Sequence, residues 1–256
     1  MRVAVITISK EGAILAHRLA QELPDVHLYL HEQIQDNQHG ERFTRIVELT
    51  RKIFHNYEGL VYVAPSGVVV RAVAPLLDHK TVDPGVVVVD VGGRWALSLL
   101  GGHEGGANNL AMRVANTLFA EPVITTTTEA LKDIIVGVGC RRGIKSEHIV
   151  AAINETLREA NAELAQVRLL SSVDIKSDEQ GLLSAAQELG LPLRFLSSAE
   201  IRDSARSFER SDFVMQKVNL PAVAEPAALI AGRRTRLVLR KTFNGVTVAI
   251  ARENCL

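Results

Sequence analysis

The sequence predicts an α/β protein with two α/β domains, each a mostly parallel sheet flanked by helices, with β-hairpins added. Strand-like and helix-like segments alternate along the 256 residues, a pattern typical of parallel sheets with crossover helices. The length suits one large domain or two modest ones, since a domain typically has about 150 residues. Gly92-Gly93 and Asn244-Gly245 each separate two strand-like runs and therefore predict hairpins.

The first half of the chain is predicted to alternate strands with helices. Residues 2–8 favour a strand because they are rich in β-branched side chains. Leu15, Leu19 and Leu23 then recur at every fourth position, which marks one face of a helix. The other strands are predicted at residues 26–30, 59–64, 86–90 and 95–100, and the other helices at 43–54 and up to about residue 120. Trp95 is expected in the core.

The second half shows the same alternation, and we divide the chain into domains 1–130 and 131–256. Its strands are predicted at residues 133–138, 166–170, 192–196, 235–240 and 246–251, and its helices at 149–164, 177–190 and 221–231. Ser177 and Gln180 have the spacing of a capping box and are expected to begin the middle helix. Asp178 and Glu179 then fall in its first turn, where carboxylates complement the helix dipole.

Composition excludes several classes of protein. Lys+Arg and Asp+Glu both number 29, so the formal net charge is zero and a nucleic-acid protein that depends on a bulk positive field is not expected. No apolar run reaches the roughly 20 residues that a membrane-spanning helix needs. The two cysteines, Cys140 and Cys255, are too few for a disulfide framework or a zinc site. We therefore expect a cytoplasmic protein with no metal site of its own.

Three loops between a strand and a helix are candidate sites, because ligands of open α/β sheets bind at the carboxyl ends of strands. The first is Pro65-Ser66-Gly67, followed one turn later by Arg71. Free amides at a helix start attract anions, and Arg71 would bind a carboxylate with two hydrogen bonds. The alternative is an ordinary turn with a solvated arginine.

The second loop, residues 101–106, has four glycines around His103 and Glu104, and Ala107 and Asn108 follow it. Glycine costs conformational entropy, so this density favours backbone placed close to a ligand. His103 would act as an acid or base near neutral pH. The amides of residues 105–107 would stabilise an oxyanion. The alternative is a flexible turn with an incidental histidine.

The third loop, residues 137–143, has the sequence G-V-G-C-R-R-G. Arg141 and Arg142 beside glycines suggest an anionic ligand. The spacing differs from the dinucleotide fingerprint, so it predicts a nucleotide only weakly. Cys140 near two cations would have a lowered pKa. The alternative, which we favour, is a buried small cysteine at a tight turn.

Two sets of segments resemble the CbiG family of cobalamin biosynthesis proteins. Its N-terminal domain is similar to G-L-V-Y-V-A-P-S-G-V-V-V-R-A-V-A-P-L-L-D-H-K-T-V-D-P-G-V-V-V-V-D and S-L-L-G-G-H-E-G-G-A-N-N-L-A. Its C-terminal domain is similar to V-G-V-G-C-R-R-G, V-D-I-K-S-D-E-Q-G-L-L and A-V-A-E-P-A-A-L. Many members carry a middle region between the I-T-T-T stretch and G-V-G-C-R-R-G, whereas here only a few residues separate the two.

The resemblance implies a hydrolase of cobalt-precorrin-5A in anaerobic vitamin B12 biosynthesis. Family members open a δ-lactone on a corrin precursor, release acetaldehyde and form cobalt-precorrin-5B. Cobalt arrives inside the substrate, so no cofactor of the protein is implied. The expected partners are this cobalt-corrin intermediate and, among proteins, a second copy of the chain or another cobalamin-pathway enzyme. Nucleic acid and membrane partners are not expected.

The candidate site residues combine the three loops with this resemblance. The catalytic candidates are His103 and Glu104, and which of them is the base stays open. The substrate-binding candidates are Ser66, Gly67, Arg71, Gly101, Gly102, Gly105, Gly106, Asn108, Gly139, Cys140, Arg141, Arg142 and Gly143. The arginines would pair with the acetate and propionate carboxylates of the substrate. We expect the second and third loops to face one wide cleft between the domains.

Two other functions stay open at the level of sequence. The C-terminal domain also resembles a stand-alone accessory protein of the aerobic cobalamin route, so the chain would be a corrin carrier without catalytic activity. An NAD(P)-dependent oxidoreductase using residues 137–143 is the third interpretation, and it predicts tight nucleotide binding.

Overall fold

A computed structural model describes residues 1–35, 39–208, 215 and 220–254. Cys255, one of the two cysteines, lies outside the described residues. The chain divides into two compact units, Met1–Thr126 (unit 1) and Thr127–Leu256 (unit 2). No described helix is long and apolar enough to cross a membrane.

Unit 1 contains a seven-stranded sheet. Its strands are β1 (Val3–Thr7), β2 (Val26–His31), β3 (Glu41–Phe43), β4 (Gly59–Val63), β5 (Gly85–Val89), β6 (Trp95–Leu100) and β7 (Glu121–Val123). They lie in the order β3-β2-β1-β4-β5-β6-β7. β1 to β5 run parallel, whereas β6 runs antiparallel to β5 and β7 runs parallel to β6. The carboxyl end of β6 therefore meets the edge where the parallel strands begin.

Helices cover both faces of this sheet. They are α1 (Lys10–Glu22), α2 (Ile46–Ile53), α3 (Ser66–Val73) and α4 (Ala107–Leu118). Alternate residues of β1 enter opposite core clusters, Val3 and Val5 with α1 and α4, and Ala4 and Ile6 with α2 and α3. Because both faces are covered, β1, β4 and β5 are buried along their whole length, as in other parallel sheets.

Unit 2 contains a five-stranded sheet in the order β10-β9-β8-β12-β11, with strands β8 (Ile134–Cys140), β9 (Val167–Val173), β10 (Leu193–Leu196), β11 (Thr235–Phe243) and β12 (Val246–Glu253). Its helices are α5 (Thr127–Ala130), α6 (Ser146–Glu159), α7 (Gln180–Glu188), α8 (Ser198–Asp203) and α9 (Ala224–Ile230). β8, β9 and β10 run parallel, so their carboxyl ends share one edge. β12 runs antiparallel to β8, and β11 runs antiparallel to β12.

The predicted fold class and both predicted hairpins are confirmed. Gly245 adopts φ +88°, the left-handed conformation that its two-residue turn requires. Two local expectations are wrong. Trp95 is 42% exposed and lies under the Arg94 guanidinium, 4.4 Å from the ring centre. The helix expected to begin with a Ser177 capping box begins at Gln180, because Asp174–Lys176 form a separate 3-10 turn.

Candidate active site

The His103 loop (residues 101–106) joins β6 to α4 in unit 1. Because β6 runs antiparallel to β5, Leu100 pairs with Val86 near the amino end of β5. The loop therefore lies at the edge where the parallel strands begin. The expectation that it follows the carboxyl ends of the parallel strands is wrong, and the reversal of the chain at Gly92-Gly93 is the physical reason.

Close backbone packing accounts for glycines in this loop and on the strand beside it. A Cβ at Gly85 would lie 2.5 Å from the Gly105 carbonyl oxygen and 2.9 Å from the Ala107 nitrogen. A Cβ at Gly101 would lie 3.1 Å from the Pro84 carbonyl oxygen. The loop lies directly on the backbone that begins β5, so protein packing already requires these glycines. Glycines in this loop therefore have a packing role that the sequence alone does not reveal.

The two catalytic candidates project from the surface of this loop. Both His103 and Glu104 are exposed. Lys80 Nζ lies 2.9 Å from Glu104 Oε1, and this hydrogen bond lowers the pKa of the Glu104 carboxyl. A carboxyl with a lowered pKa is a weaker base near neutral pH, so the ion pair favours His103 as the proton acceptor.

A second loop, residues 77–84 (the Lys80 loop), accompanies the His103 loop and was missed by sequence reasoning. The buried Asp83 carboxylate accepts the backbone N–H of Asp78 at 3.1 and 3.3 Å and closes this loop on itself. Its tip carries Lys80 and the exposed His79, whose Nδ1 lies 2.8 Å from Thr81 Oγ1. The D-H-K-T-V-D-P segment, with a turn-forming aspartate at each end, was the available signal.

Only part of the expected oxyanion site is free. The Ala107 N–H donates to the Gly101 carbonyl at 3.1 Å, so its assignment as an oxyanion donor is wrong. Gly106 adopts φ +75° as the N-cap of α4. Across the described residues, no hydrogen bond engages the N–H groups of Gly105 and Gly106. These two amides remain able to donate to a developing oxyanion.

Asn108, expected to bind substrate, has its side chain engaged within the protein. Its Oδ1 accepts the Ser98 hydroxyl at 2.8 Å, and its Nδ2 donates to Thr126 Oγ1 at 3.1 Å. A Cβ at Gly102 would lie 2.7 Å from the Thr126 methyl carbon and 3.0 Å from Asn108 Oδ1. Asn108 therefore connects the loop to β6 and to the end of unit 1 through its side chain, and its role in substrate binding stays a prediction.

Ser66, Gly67 and Arg71 lie apart from the His103 loop. They follow the carboxyl end of β4, where Val63 pairs with Val89, at the opposite edge of the same sheet. Strands of five residues separate the two edges by about 16 Å. Arg71 is exposed and donates to the Gly67 carbonyl at 3.1 Å. The structure thus does not bring the first and second predicted loops together.

In unit 2, the first glycines of G-V-G-C-R-R-G belong to strand β8. A Cβ at Gly137 would lie 2.7 Å from the Ala228 nitrogen, and even closer to the Ala224 carbonyl oxygen. A Cβ at Gly139 would lie 3.1 Å from Val223 Cβ. Both glycines let α9 pack closely against β8. Gly139 thus has a packing role, and its assignment to substrate binding stays a prediction.

The rest of the motif forms the arginine loop (residues 141–145) at the carboxyl edge of the second sheet. Arg142 donates to Asp178 Oδ2 at 2.9 Å, and the Gly143 N–H donates to Glu179 Oε1 at 2.9 Å. Asp178 and Glu179 therefore hold this loop, beyond the dipole role that the sequence predicted for them. The hydrogen bond from Arg142 lowers the pKa of the Asp178 carboxyl. The segments G-V-G-C-R-R-G and V-D-I-K-S-D-E-Q-G-L-L are therefore in contact, although 36 residues of sequence separate Arg142 from Asp178.

Cys140 ends β8 beside Lys176 and Glu179. Burial raises the pKa of its thiol, against the smaller opposing effect of Lys176. The lowered pKa expected from the neighbouring arginines is wrong, and the alternative of a partly buried structural cysteine fits the geometry. Within the described ranges, no three His, Cys, Asp or Glu side chains are grouped to hold a metal ion.

Two family models match the chain. The model described as cobalamin synthesis G N-terminal matches residues 48–129, and the one described as cobalamin synthesis G C-terminus matches residues 134–251. The His103 and Lys80 loops fall within the first match, and the arginine loop with its acidic partners falls within the second. Only residues 130–133 separate the two matches.

Similar curated proteins span both halves. A cobalt-precorrin-5A hydrolase of Priestia megaterium is 24% identical over 352 positions, covering 97% of this chain and 94% of that protein. One of Salmonella typhimurium strain LT2 is 23% identical over 340 positions, covering 97% of each. Protein CobE of Sinorhizobium sp is 31% identical over 128 residues, covering 49% of this chain and 83% of that protein.

The two longer alignments exceed the length of the chain. Because the chain has 256 residues, at least 96 and 84 positions of the two relatives have no counterpart in it. The adjoining family matches agree with the absence of the middle region noted in the sequence.

Proposed function

The chain belongs to the cobalamin synthesis G (CbiG) family, the family of the cobalt-precorrin-5A hydrolases described above, and from this premise we propose that it opens the δ-lactone of cobalt-precorrin-5A at its His103 loop. Cobalt-precorrin-5B and acetaldehyde are the proposed products. The observation that carries the proposal is an exposed imidazole two residues before the free N–H groups of Gly105 and Gly106.

Lactone opening requires a base, oxyanion donors and a proton for the leaving alkoxide. In the proposed step, His103 accepts a proton from water as the water oxygen attacks the lactone carbonyl. The amides of Gly105 and Gly106 donate to the carbonyl oxygen as it becomes negative. His103 then returns the proton to the alkoxide as the C–O bond breaks, leaving a free hydroxyl and a carboxylic acid, which loses its own proton to solvent near neutral pH.

Loss of acetaldehyde follows from the freed hydroxyl. His103 removes the hydroxyl proton, a C=O bond forms, and the carbon–carbon bond to the macrocycle breaks. The electron pair enters the conjugated macrocycle, which is then protonated. Because the substrate itself accepts the electrons and carries the cobalt, the proposal needs no cofactor resident on the protein.

Arginines supply the proposed binding of substrate carboxylates. Arg141 is exposed at the carboxyl edge of the second sheet, the usual position of ligands in α/β sheets. Arg71 is a weaker candidate, since it lies at the sheet edge opposite His103. A cytoplasmic location, and a second copy or another cobalamin-pathway enzyme as partner, belong to the same proposal.

Replacement of His103 tests the proposal. We expect His103→Ala to lower the rate of acetaldehyde release by about 10²- to 10⁴-fold, the usual contribution of a positioned acid or base. His148→Ala is the matched control, because His148 is also exposed but lies on α6 of unit 2. Unchanged turnover in His103→Ala would contradict the assigned base.

A carrier without catalytic activity is the second candidate. The observation in its favour is that the relative matching half of this chain, Protein CobE, is a separate protein covered over 83% of its length. A carrier predicts that cobalt-precorrin-5A binds tightly and is recovered unchanged, whatever residue stands at position 103.

A further inference from the structure

The two arginines of the arginine loop differ in what holds them. The Arg142 guanidinium is hydrogen-bonded to Asp178. Arg141 is anchored through its backbone, because its N–H donates to the Gly245 carbonyl at 2.8 Å. Over the described part of the chain, no carboxylate forms an ion pair with the exposed Arg141 guanidinium. One arginine is therefore occupied and the other is free to meet a ligand.

Glu179 fixes the shape of the loop that presents Arg141. Its side chain is buried, with Oε1 accepting the Gly143 N–H at 2.9 Å and Oε2 lying 3.9 Å from Lys176 Nζ. Gly143 adopts φ +76°, and no atom lies within 4 Å of the position that its Cβ would occupy. The buried Glu179 carboxylate thus holds this left-handed turn through the Gly143 N–H.

A glycine on the neighbouring helix completes this arrangement. A Cβ at Gly181 would overlap the carbonyl oxygen of Ile144 and lie 3.0 Å from its carbonyl carbon. The start of α7 therefore approaches the backbone of the arginine loop closely enough for Glu179 to reach Gly143. The loop is fixed at Arg141 by Gly245 and at Gly143 by Glu179, with both anchors within two residues of the free guanidinium.

We propose that Glu179 is a positioning residue that holds the arginine loop so that Arg141, and not Arg142, binds a carboxylate of the substrate. This inference rests on the proposed function only in taking a corrin with free carboxylates as the ligand. Arg141 determines affinity for carboxylates, whereas Arg142 is a structural residue paired with Asp178.

The test measures binding separately from turnover, using the full-length protein. Two probes are titrated by the change in corrin absorption: cobyrinic acid, which has free carboxylates, and its heptamethyl ester, which has none. We expect Arg141→Ala to weaken binding of the acid by about 10- to 100-fold, because hydrogen bonds to charged groups contribute that much. Binding of the ester is expected to stay unchanged. The neighbouring Arg142→Ala variant should weaken binding of the acid by less than about threefold.

Glu179 variants test positioning. Glu179→Ala should weaken binding of the acid as much as Arg141→Ala and speed hydrogen exchange at the Gly143 amide. Glu179→Gln should restore both, because its side-chain oxygen still accepts the Gly143 N–H.

Each contrary result overturns a defined part of the inference. An equal or larger loss in Arg142→Ala refutes the choice of Arg141, and equal binding of acid and ester refutes a carboxylate ligand. Failure of Glu179→Gln to restore binding refutes the hydrogen-bond role. If Glu179→Ala does not fold, the two arginine variants still test the choice of Arg141. Glu179→Gln then tests the hydrogen-bond role, since it should bind the acid as tightly as the wild type. Absence of acetaldehyde with selective binding of the acid refutes only the hydrolase, whereas a wild-type protein that binds neither probe refutes this inference.

Discussion

Gly137→Ala tests whether the glycines of G-V-G-C-R-R-G serve packing or a ligand. The added methyl group would lie 2.7 Å from the Ala228 nitrogen and closer to the Ala224 carbonyl oxygen, both in the backbone of α9. Ordinary contacts begin near 3.4 Å, so α9 would have to retreat by more than about 0.7 Å. α9 packs with buried Ala224, Ala228 and Leu229 against β12, so a retreat also opens that contact.

The expected cost is about 3 kcal/mol, the upper end for overpacking of a close-packed interior, because backbone atoms cannot rotate away. At an m-value of about 1–3 kcal/mol per molar urea, the unfolding midpoint of unit 2 should fall by about 1–3 M. The intrinsic preference of a strand for alanine over glycine offsets this by less than about 1 kcal/mol.

Urea unfolding followed by circular dichroism measures this change. Gly190→Ala is the matched control in the same unit, because Gly190 has φ +64° and no atom lies within 4 Å of its Cβ position. Its expected cost is only the roughly 1–2 kcal/mol of a left-handed alanine. If the unfolding free energy of Gly137→Ala lies within about 1 kcal/mol of the wild-type value, α9 does not pack closely against β8 at this position. The glycine must then be explained by a ligand.

Three further predictions concern single groups. Asn108→Ala should cost about 1–3 kcal/mol of unfolding free energy in urea, because it leaves the buried Ser98 hydroxyl unpaired, and an unchanged midpoint would refute that role. Lys80→Ala should raise the pKa of Glu104 toward its ordinary value in a carbon-13 carboxyl titration. Because folding lowers this pKa, the ion pair contributes stability above the unfolded pKa and loses it as the pH falls through the folded pKa. With the second cysteine replaced by serine, Cys140 should react with iodoacetamide more slowly at pH 8 than a free thiol, and a faster reaction would contradict its raised pKa.

Elements dictated by local pattern could be predicted from the sequence. The alternation of β-branched runs with amphipathic segments placed most strands and helices, and Asn244-Gly245 located the hairpin of unit 2. Such signals are local, because side-chain periodicity and turn chemistry act over a few residues. The three-residue strand β3 was missed, since so short a segment has no readable period.

The sheet edge at which the His103 loop lies follows from the sequence, although the loop was expected at the carboxyl ends of the parallel strands. The predicted hairpin at Gly92-Gly93 already reverses the chain, so the end of β6 must return to the start of β5. The His103 loop therefore could have been assigned to the edge opposite Ser66. Direction within a hairpin follows from the turn alone and needs no tertiary information.

Long-range partners could not be predicted in this way. Glu179 accepts a hydrogen bond from Gly143, and Lys80 pairs with Glu104, across 36 and 24 residues of sequence. Nothing in the local pattern distinguishes a carboxylate that holds a distant loop from one that complements a helix dipole. Gly137 is similar, because its need for a hydrogen side chain arises only when α9 packs across the sheet.

The most direct test of the central claim is anaerobic incubation of the purified protein with cobalt-precorrin-5A, with released acetaldehyde measured over time. A hydrolase working through His103 predicts many molecules of acetaldehyde per protein molecule. It also predicts a loss of about 10²-fold or more in His103→Ala, with His148→Ala unchanged. Substrate that is bound and recovered intact, with no acetaldehyde from the wild-type protein, would contradict the claim and identify a carrier.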